Sequence, residues 1–165
     1  MNQYPNNIEY LEKHHQIFIE QTPTAIAMLD TNMVYLAASK QWIRDFKLEK
    51  HGYTQEALEK EIIIGRSHYD IFPEIGDDWK AKHQKCLQGA IDICDEAPFY
   101  RSDGTIQWIY WDVRPWYLAD GRIGGLLMHT GDITEQKEKE LKEKKYNTIL
   151  RDTSDIARIG TWEID

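Results

Sequence analysis

Any chemistry in this chain must come from its histidines, its two cysteines and a few well-placed acids. His68 stands in the run Gly65-Arg66-Ser67-His68-Tyr69-Asp70-Ile71-Phe72-Pro73, a polar ring flanked by apolar residues. Such a ring suits a buried, hydrogen-bonded post that fixes a loop, with direct ligand binding as the alternative. His83 shares a helical stripe with Trp79, Cys86 and Leu87. A neutral imidazole facing an apolar cavity can bind iron; a local hydrogen bond or packing on Trp79 is the commoner role. Asp132, Thr134 and Glu135 carry helix-start chemistry, with Asp132 or Thr134 as cap and Asp-x-x-Glu as a capping box. Enzyme chemistry lacks its parts. No G-x-x-x-x-G-K-[ST], G-x-S-x-G or H-E-x-x-H occurs, and no serine has a nucleophile context. This chain is therefore not expected to be an enzyme, and no metal site is expected.

The elements that position these residues must come from 165 residues, enough for one domain with extensions. Apolar residues make up 41% and charged residues 29%, the balance of a soluble globular chain. With 20 Lys+Arg against 28 Asp+Glu the formal charge is -8, which disfavours nucleic acid and anionic lipid as partners. No apolar run approaches the roughly 20 residues of a membrane span, and the first ten residues do not read as a secretory signal. Cys86 and Cys94 make neither a disulfide framework nor a zinc site, so a reducing cytoplasm is the expected compartment.

Residues 1–21 hold an amphipathic helix, capped by Asn7 and stopped by Pro23, with Leu11 and Phe18 on its apolar face. Two short apolar runs around Asp30-Thr31-Asn32 read as a hairpin. Ser39 caps a helix carrying Trp42, Ile43 and Phe46. Residues 49–61 read as an exposed excursion. A short helix ends at Phe72-Pro73, and a stronger one runs from Asp77-Asp78 to Gly89. Three strands follow, Ala97 to Arg101, Gln107 to Tyr117 and Ile123 to Thr130, joined by turns at Ser102-Asp103-Gly104 and Asp120-Gly121. Residues 134–152 form a charged helix with Glu-to-Lys pairs at i,i+4, an extended connector or one strand of a coiled coil. Residues 153–165 loosely echo Thr22 to Asp30 and read as the truncated opening of a second copy of the same domain.

This order, with G-x-x-H-Y-x-x-F-P, D-G-x-x-x-W and D-I-T-E in sequence, resembles a PAS domain with its C-terminal PAC motif over about residues 18–134. The resemblance implies an α+β fold. Its five-stranded antiparallel sheet has order 2-1-5-4-3 and short helices on one face, with residues 22–133 as the PAS/PAC domain. It also implies a sensory or dimerising role in a bacterial signalling protein, a sensor histidine kinase of a two-component system or, alternatively, a diguanylate cyclase. The output domain would follow on the same polypeptide.

Alternation on Gln107 to Tyr117 places Ile109, Trp111, Val113 and Pro115 on one face and Trp108, Tyr110, Asp112, Arg114 and Trp116 on the other. The resemblance implies that the first set faces the helices. The second would make an outer aromatic patch with Trp108, Tyr110 and Trp116, covered by the first helix through Leu11 and Phe18, from the same chain or a homodimer partner. The expected pocket wall is Met28, His68, Phe72, His83, Phe99, Trp111, Met128 and Thr130. Bulky aromatics there favour a small apolar ligand, or none, over a dicarboxylate. Similarity to the flavin-binding light sensors places His68 at their reactive Cys, and Phe99, Ile109 and Thr130 at flavin-contacting amides, so flavin is not expected. Haem-binding relatives ligate iron from the long helix, which leaves haem on His83 as an alternative to an unknown small ligand or a ligand-free dimerisation module. Asp132 and Thr134 are the expected signal exit.

Overall fold

The computed structural model describes residues 15, 17–48 and 63–160. The strands are β1 (Ile26–Asp30), β2 (Tyr35–Ala38), β3 (Asp92–Tyr100), β4 (Ile106–Tyr117) and β5 (Ile123–Asp132). They form one sheet of order β2-β1-β5-β4-β3, the order the resemblance implies, and all its named pairings are antiparallel. The helices of this unit are α1 (Lys40–Asp45), α2 (His68–Ile71) and α3 (Asp77–Leu87). A second unit, from residue 133 onward, carries α4 (Thr134–Gly160). Residues 15 and 17–21 are helical with Phe18 exposed; Leu11 and the excursion at 49–61 lie outside the described residues.

Short polar side chains make the joints. Asp30 Oδ1 accepts from the backbone N–H of Asn32 at 2.8 Å and of Val34 at 2.9 Å, closing the turn between β1 and β2. Asp103 and Asp120 do the same for Thr105 and Arg122 in the two later hairpins. Ser39 is wholly buried. Its hydroxyl accepts from Ile26 N at 3.0 Å and Trp42 N at 3.2 Å and donates to Thr24 O at 2.8 Å, so one oxygen caps α1 and ties it to β1. The chain at 65–68 runs beside β2. Gly65 N donates to Tyr35 O, Tyr35 N to Arg66 O, and His68 N to Met33 O at 2.7 Å. Gly65 turns into this segment at φ +83°, where a side chain would be strained.

The parity expected for β4 holds. Gln107, Ile109, Trp111 and Val113 are buried, and Tyr110, Asp112 and Trp116 are partly covered on the opposite face. Trp116 lies against Gly124 and donates from Nε1 to Leu29 O at 2.8 Å. Tyr110 lies against Gly131, where an added Cβ would come within 2.5 Å of the ring. The sheet's own glycines thus absorb part of the outer aromatic patch. Arg114 and Asp112 pair with each other there. Parity on β1 differs from expectation: Ala27 and Leu29 point inward, and Met28 belongs to the outer face, opposite Leu127.

Two boundaries also differ. Strand β3 begins at Asp92, five residues before the expected start. Helix α4 runs through Gly160 instead of ending at 152. Thr153 continues it by donating its hydroxyl to Ile149 O at 2.7 Å, as Thr148 does to Lys144 O at 3.0 Å. Residues 153–160 are therefore helix, and the rest of the stretch read as a second copy, 161–165, lies outside the described residues.

Ser39→Ala removes a cap and leaves Ile26 N–H and Thr24 C=O unpaired. We expect a loss of about 2–4 kcal/mol, read from urea unfolding; a loss below about 1 kcal/mol would show that Ser39 does not hold α1 to the sheet.

Candidate functional site

Between the short helices and the inner sheet face lies a cavity of about 50 Å³. Trp42 and Phe46 come to it from α1 and its C-terminal end, His68 and Phe72 from α2 and its end, and Ile75 from the next turn. Helix α3 adds Trp79 and His83. The sheet contributes Phe99, Ile109, Trp111, Val113, Met128 and Thr130. All the expected wall residues except Met28 meet here; Met28 fails because β1 turns it outward. Trp42, Phe46, Ile75 and Trp79 were not expected on the wall. The signal for Trp42, Phe46 and Trp79 was the apolar stripe of α1 and α3, which marks burial without saying what it faces; Ile75, in a turn, had none.

The wall is an aromatic lattice. Phe46 and Phe72 meet edge to face at 5.2 Å between ring centroids, His68 lies 5.1 Å from Phe72, and Trp79 lies 4.6 Å from Trp111. Asp92 accepts from Trp111 Nε1 at 2.9 Å, and Lys82 stands over both Trp rings, 4.7 Å from Trp111 and 5.2 Å from Trp79. Cys86 is not part of the wall; its Sγ faces Val113 O at 3.7 Å.

Two imidazoles supply most of the polarity. Their rings meet edge to face at 5.5 Å. His68 Nδ1 is bonded to the Tyr35 hydroxyl at 2.6 Å, and His83 Nδ1 to the Tyr69 hydroxyl at 3.1 Å. The post expected of His68 is thus a bond to β2. Burial pushes His68 from the usual 6.5 down to about 3, helped by the charge of His83. Burial pushes His83 down to about 4; Asp92 opposes that shift and Lys82 adds to it. Both rings are neutral at pH 7. A haem on His83 does not fit. A cavity of about 150 Å³ takes a ligand the size of benzene, so 50 Å³ leaves no room for a macrocycle.

A buried polar chain leads away from the wall. The Arg101 guanidinium lies 5.4 Å from the Phe72 ring centroid and 5.6 Å from that of Phe99. It sits 2.9 Å from Glu74 Oε1, a buried ionic contact off the hydrogen-bonding axis, and donates to Gln107 Oε1 at 2.8 Å and Phe46 O at 3.2 Å. The Gln107 amide then donates to Asp45 O at 2.8 Å and Asp132 Oδ2 at 2.7 Å. Asp132 ends β5, and Thr134 opens α4 two residues later. Gln107 was missed from sequence, although a polar residue at an inward position of β4 was the available signal.

A family model described as PAS fold matches residues 19–138. Similar solved structures include an RNA-binding light-oxygen-voltage receptor, with TM-score 0.57, 17% identity, and coverage of 93% of this chain and 40% of that one. A VqmA dimer of Vibrio cholerae in the absence of target DNA gives 0.55 and 16%, over 76% of this chain and 53% of that one. The PAS domain of a Colwellia psychrerythraea protein gives 0.53 and 20%, over 76% and 98%. At these identities the likeness speaks for the fold alone. The chain spans only 40% of the receptor and 53% of VqmA. No curated protein matches the chain.

Both imidazoles bind protons more weakly folded than unfolded, so acid unfolds the domain. Stability should be full above pH 6.5 and fall as the pH drops toward 4. The slope should approach about 1.4 kcal/mol per pH unit for each ring. Urea unfolding between pH 7 and 5 reads it, and a flat profile would contradict the buried neutral pair.

Proposed function

The chain belongs to the PAS-fold family, and we propose that within it this chain is the sensory module of a larger signalling protein. It would hold a small uncharged ligand between the short helices and the sheet and pass the change to α4. The observation that carries the reading is the cavity itself, a void lined by neutral imidazoles in a wall of otherwise tightly packed rings. The route out would be the chain Arg101, Gln107 and Asp132, since one guanidinium touches two wall rings and the same polar chain ends on the last residue of β5.

The output would be a histidine kinase domain on the same polypeptide, in the cytoplasm. No helix among the described residues is long and apolar enough to cross a membrane. We take the working form to be a homodimer. Helix α4 has 27 residues, about 40 Å at 1.5 Å per residue, and exposes Leu141, Tyr146, Ile149, Leu150 and Ile156. A largely charged helix with such residues gains stability by pairing with a second copy. A VqmA dimer is among the similar structures, and another structure has VqmA bound to DPO. Ligand binding would shift the balance between two helix pairings through differential affinity for them.

Xenon under pressure is a probe for an apolar void. With xenon in the cavity, amide exchange across residues 134–160 should change in the dimer, whose mass native mass spectrometry reads. Xenon bound without any change in α4 would leave a ligand-independent dimerisation module instead.

Gln107→Leu keeps the volume of the side chain and cuts the polar chain, leaving Arg101, Asp132 and Asp45 O without their amide. We expect a stability loss of about 2–3 kcal/mol by urea unfolding, together with loss of the xenon response in α4. An unchanged response would exclude Gln107 from the route.

A further inference from the structure

Helix α4 is not uniform along its length. Every described side chain from residue 138 to 158 is exposed, yet the apolar ones change position part-way. From Tyr146 onward, Tyr146, Ile149, Thr153 and Ile156 are spaced by three, four and three, the a and d positions of a heptad, and Leu150 and Ala157 follow at e. These six residues share one face of the helix. Tyr146, Ile149, Leu150 and Ile156 are each more than half exposed. Thr153 can be covered without leaving a donor unpaired, because its hydroxyl donates to Ile149 O at 2.7 Å and its methyl group remains to pack.

Carried back toward Thr134, the same positions change character. They hold Lys142, Lys139 and Glu135, with Glu138 at g and Glu143 at e. In a parallel pair Lys139 and Lys142 would each meet its own copy, and Glu138 would face Glu143 of the second copy, like charge on like. Leu141 is also exposed, but it lies about a third of a turn round the helix from this face. Charges in the first half are matched along their own helix instead. Glu140 accepts from Gln136 at 2.9 Å and lies 3.7 Å from Lys137 Nζ.

We infer that α4 holds a second copy of this chain, in parallel, over residues 146–157 alone, and that residues 135–145 remain an unpaired connector. This rests on the proposal that the working form is a homodimer, and it adds where the two chains meet. The occupant follows from the pattern, since a heptad seam of this kind is complementary to itself. An antiparallel copy centred on the seam would set Asp152 against its own copy. The seam is about 18 Å long at 1.5 Å per residue, too short for a tight pairing. Its strength therefore depends on the charges that precede it.

Sedimentation equilibrium of the full chain at pH 7 tests this, with circular dichroism to show that each variant is folded. Leu141→Asn and Ile149→Asn put the same residue at two exposed positions of one helix. Ile149→Asn should weaken dimerisation roughly tenfold or more, because the apolar contact is lost from both copies, and Leu141→Asn should leave it unchanged. Lys139→Ile combined with Lys142→Leu carries the seam back by one heptad. It should tighten dimerisation roughly tenfold or more, a gain that an antiparallel pair would not make. An equal loss at Leu141, no loss at Ile149, or no gain from the double variant overturns the inference and leaves the sensory reading standing. A natural chain that is monomeric at every concentration removes the inference and the homodimer together, and xenon binding alone then judges the cavity.

Discussion

The contact on which the site depends is the hydrogen bond between Tyr35 and His68. It joins the edge strand β2 to a helix of a single turn, too short to hold itself. The backbone bonds from Gly65, Tyr35 and His68 bring the segment alongside β2, and the side-chain bond then fixes the ring. Remove that tie and three walls loosen together, because His68 also packs on Trp42, Phe72 and His83. The burial that makes the imidazole neutral also seals the Tyr35 hydroxyl against it, so the two rings depend on each other for a polar partner.

The domain separates its polar and apolar duties by position on the inner face. Around His68 the sheet offers Ile109, Trp111 and Val113, and polarity is limited to rings already committed on one side. Two residues further back along β4, Gln107 has the same inward parity but lies among carbonyls and carboxylates, and it is fully bonded. Arg101 spans the two regions, with its guanidinium over wall rings and its N–H groups on the polar chain. A satisfied buried network of this kind has few alternative arrangements. That stiffness is what would let a displacement of Phe72 or Phe99 reach Asp132 instead of dissipating in side-chain rearrangement.

Much of this was legible in the sequence where the pattern was unambiguous. On β4, large apolar residues alternate with polar or amphipathic ones, so parity could be read and it located most of the wall. On β1 the run Ala25 to Leu29 is apolar at every position, and alternation carries no signal. Ala25, Ala27 and Leu29 prove to be the buried ones, while Met28 faces outward. Gln107 escaped notice because an amide reads as exposed until its partners are known, and those partners, Asp45 O, Arg101 and Asp132, are scattered along the chain. The end of α4 was misplaced for a local reason. Thr153-Ser154-Asp155 looks like a stop, yet a helix absorbs a threonine when its hydroxyl bonds back one turn.

The size of the cavity and its chemistry pull in opposite directions, and the balance determines what the domain can sense. Large rings fill most of the space between α1, α3 and the sheet, which favours a stable core and leaves little room for shape recognition. Discrimination among molecules this small gains little from added apolar contact, since one methylene changes binding by only about 1–3 kcal/mol. The Tyr35–His68 bond therefore matters twice at one site: it holds α2 against the sheet, and it fixes a ring that lines the cavity.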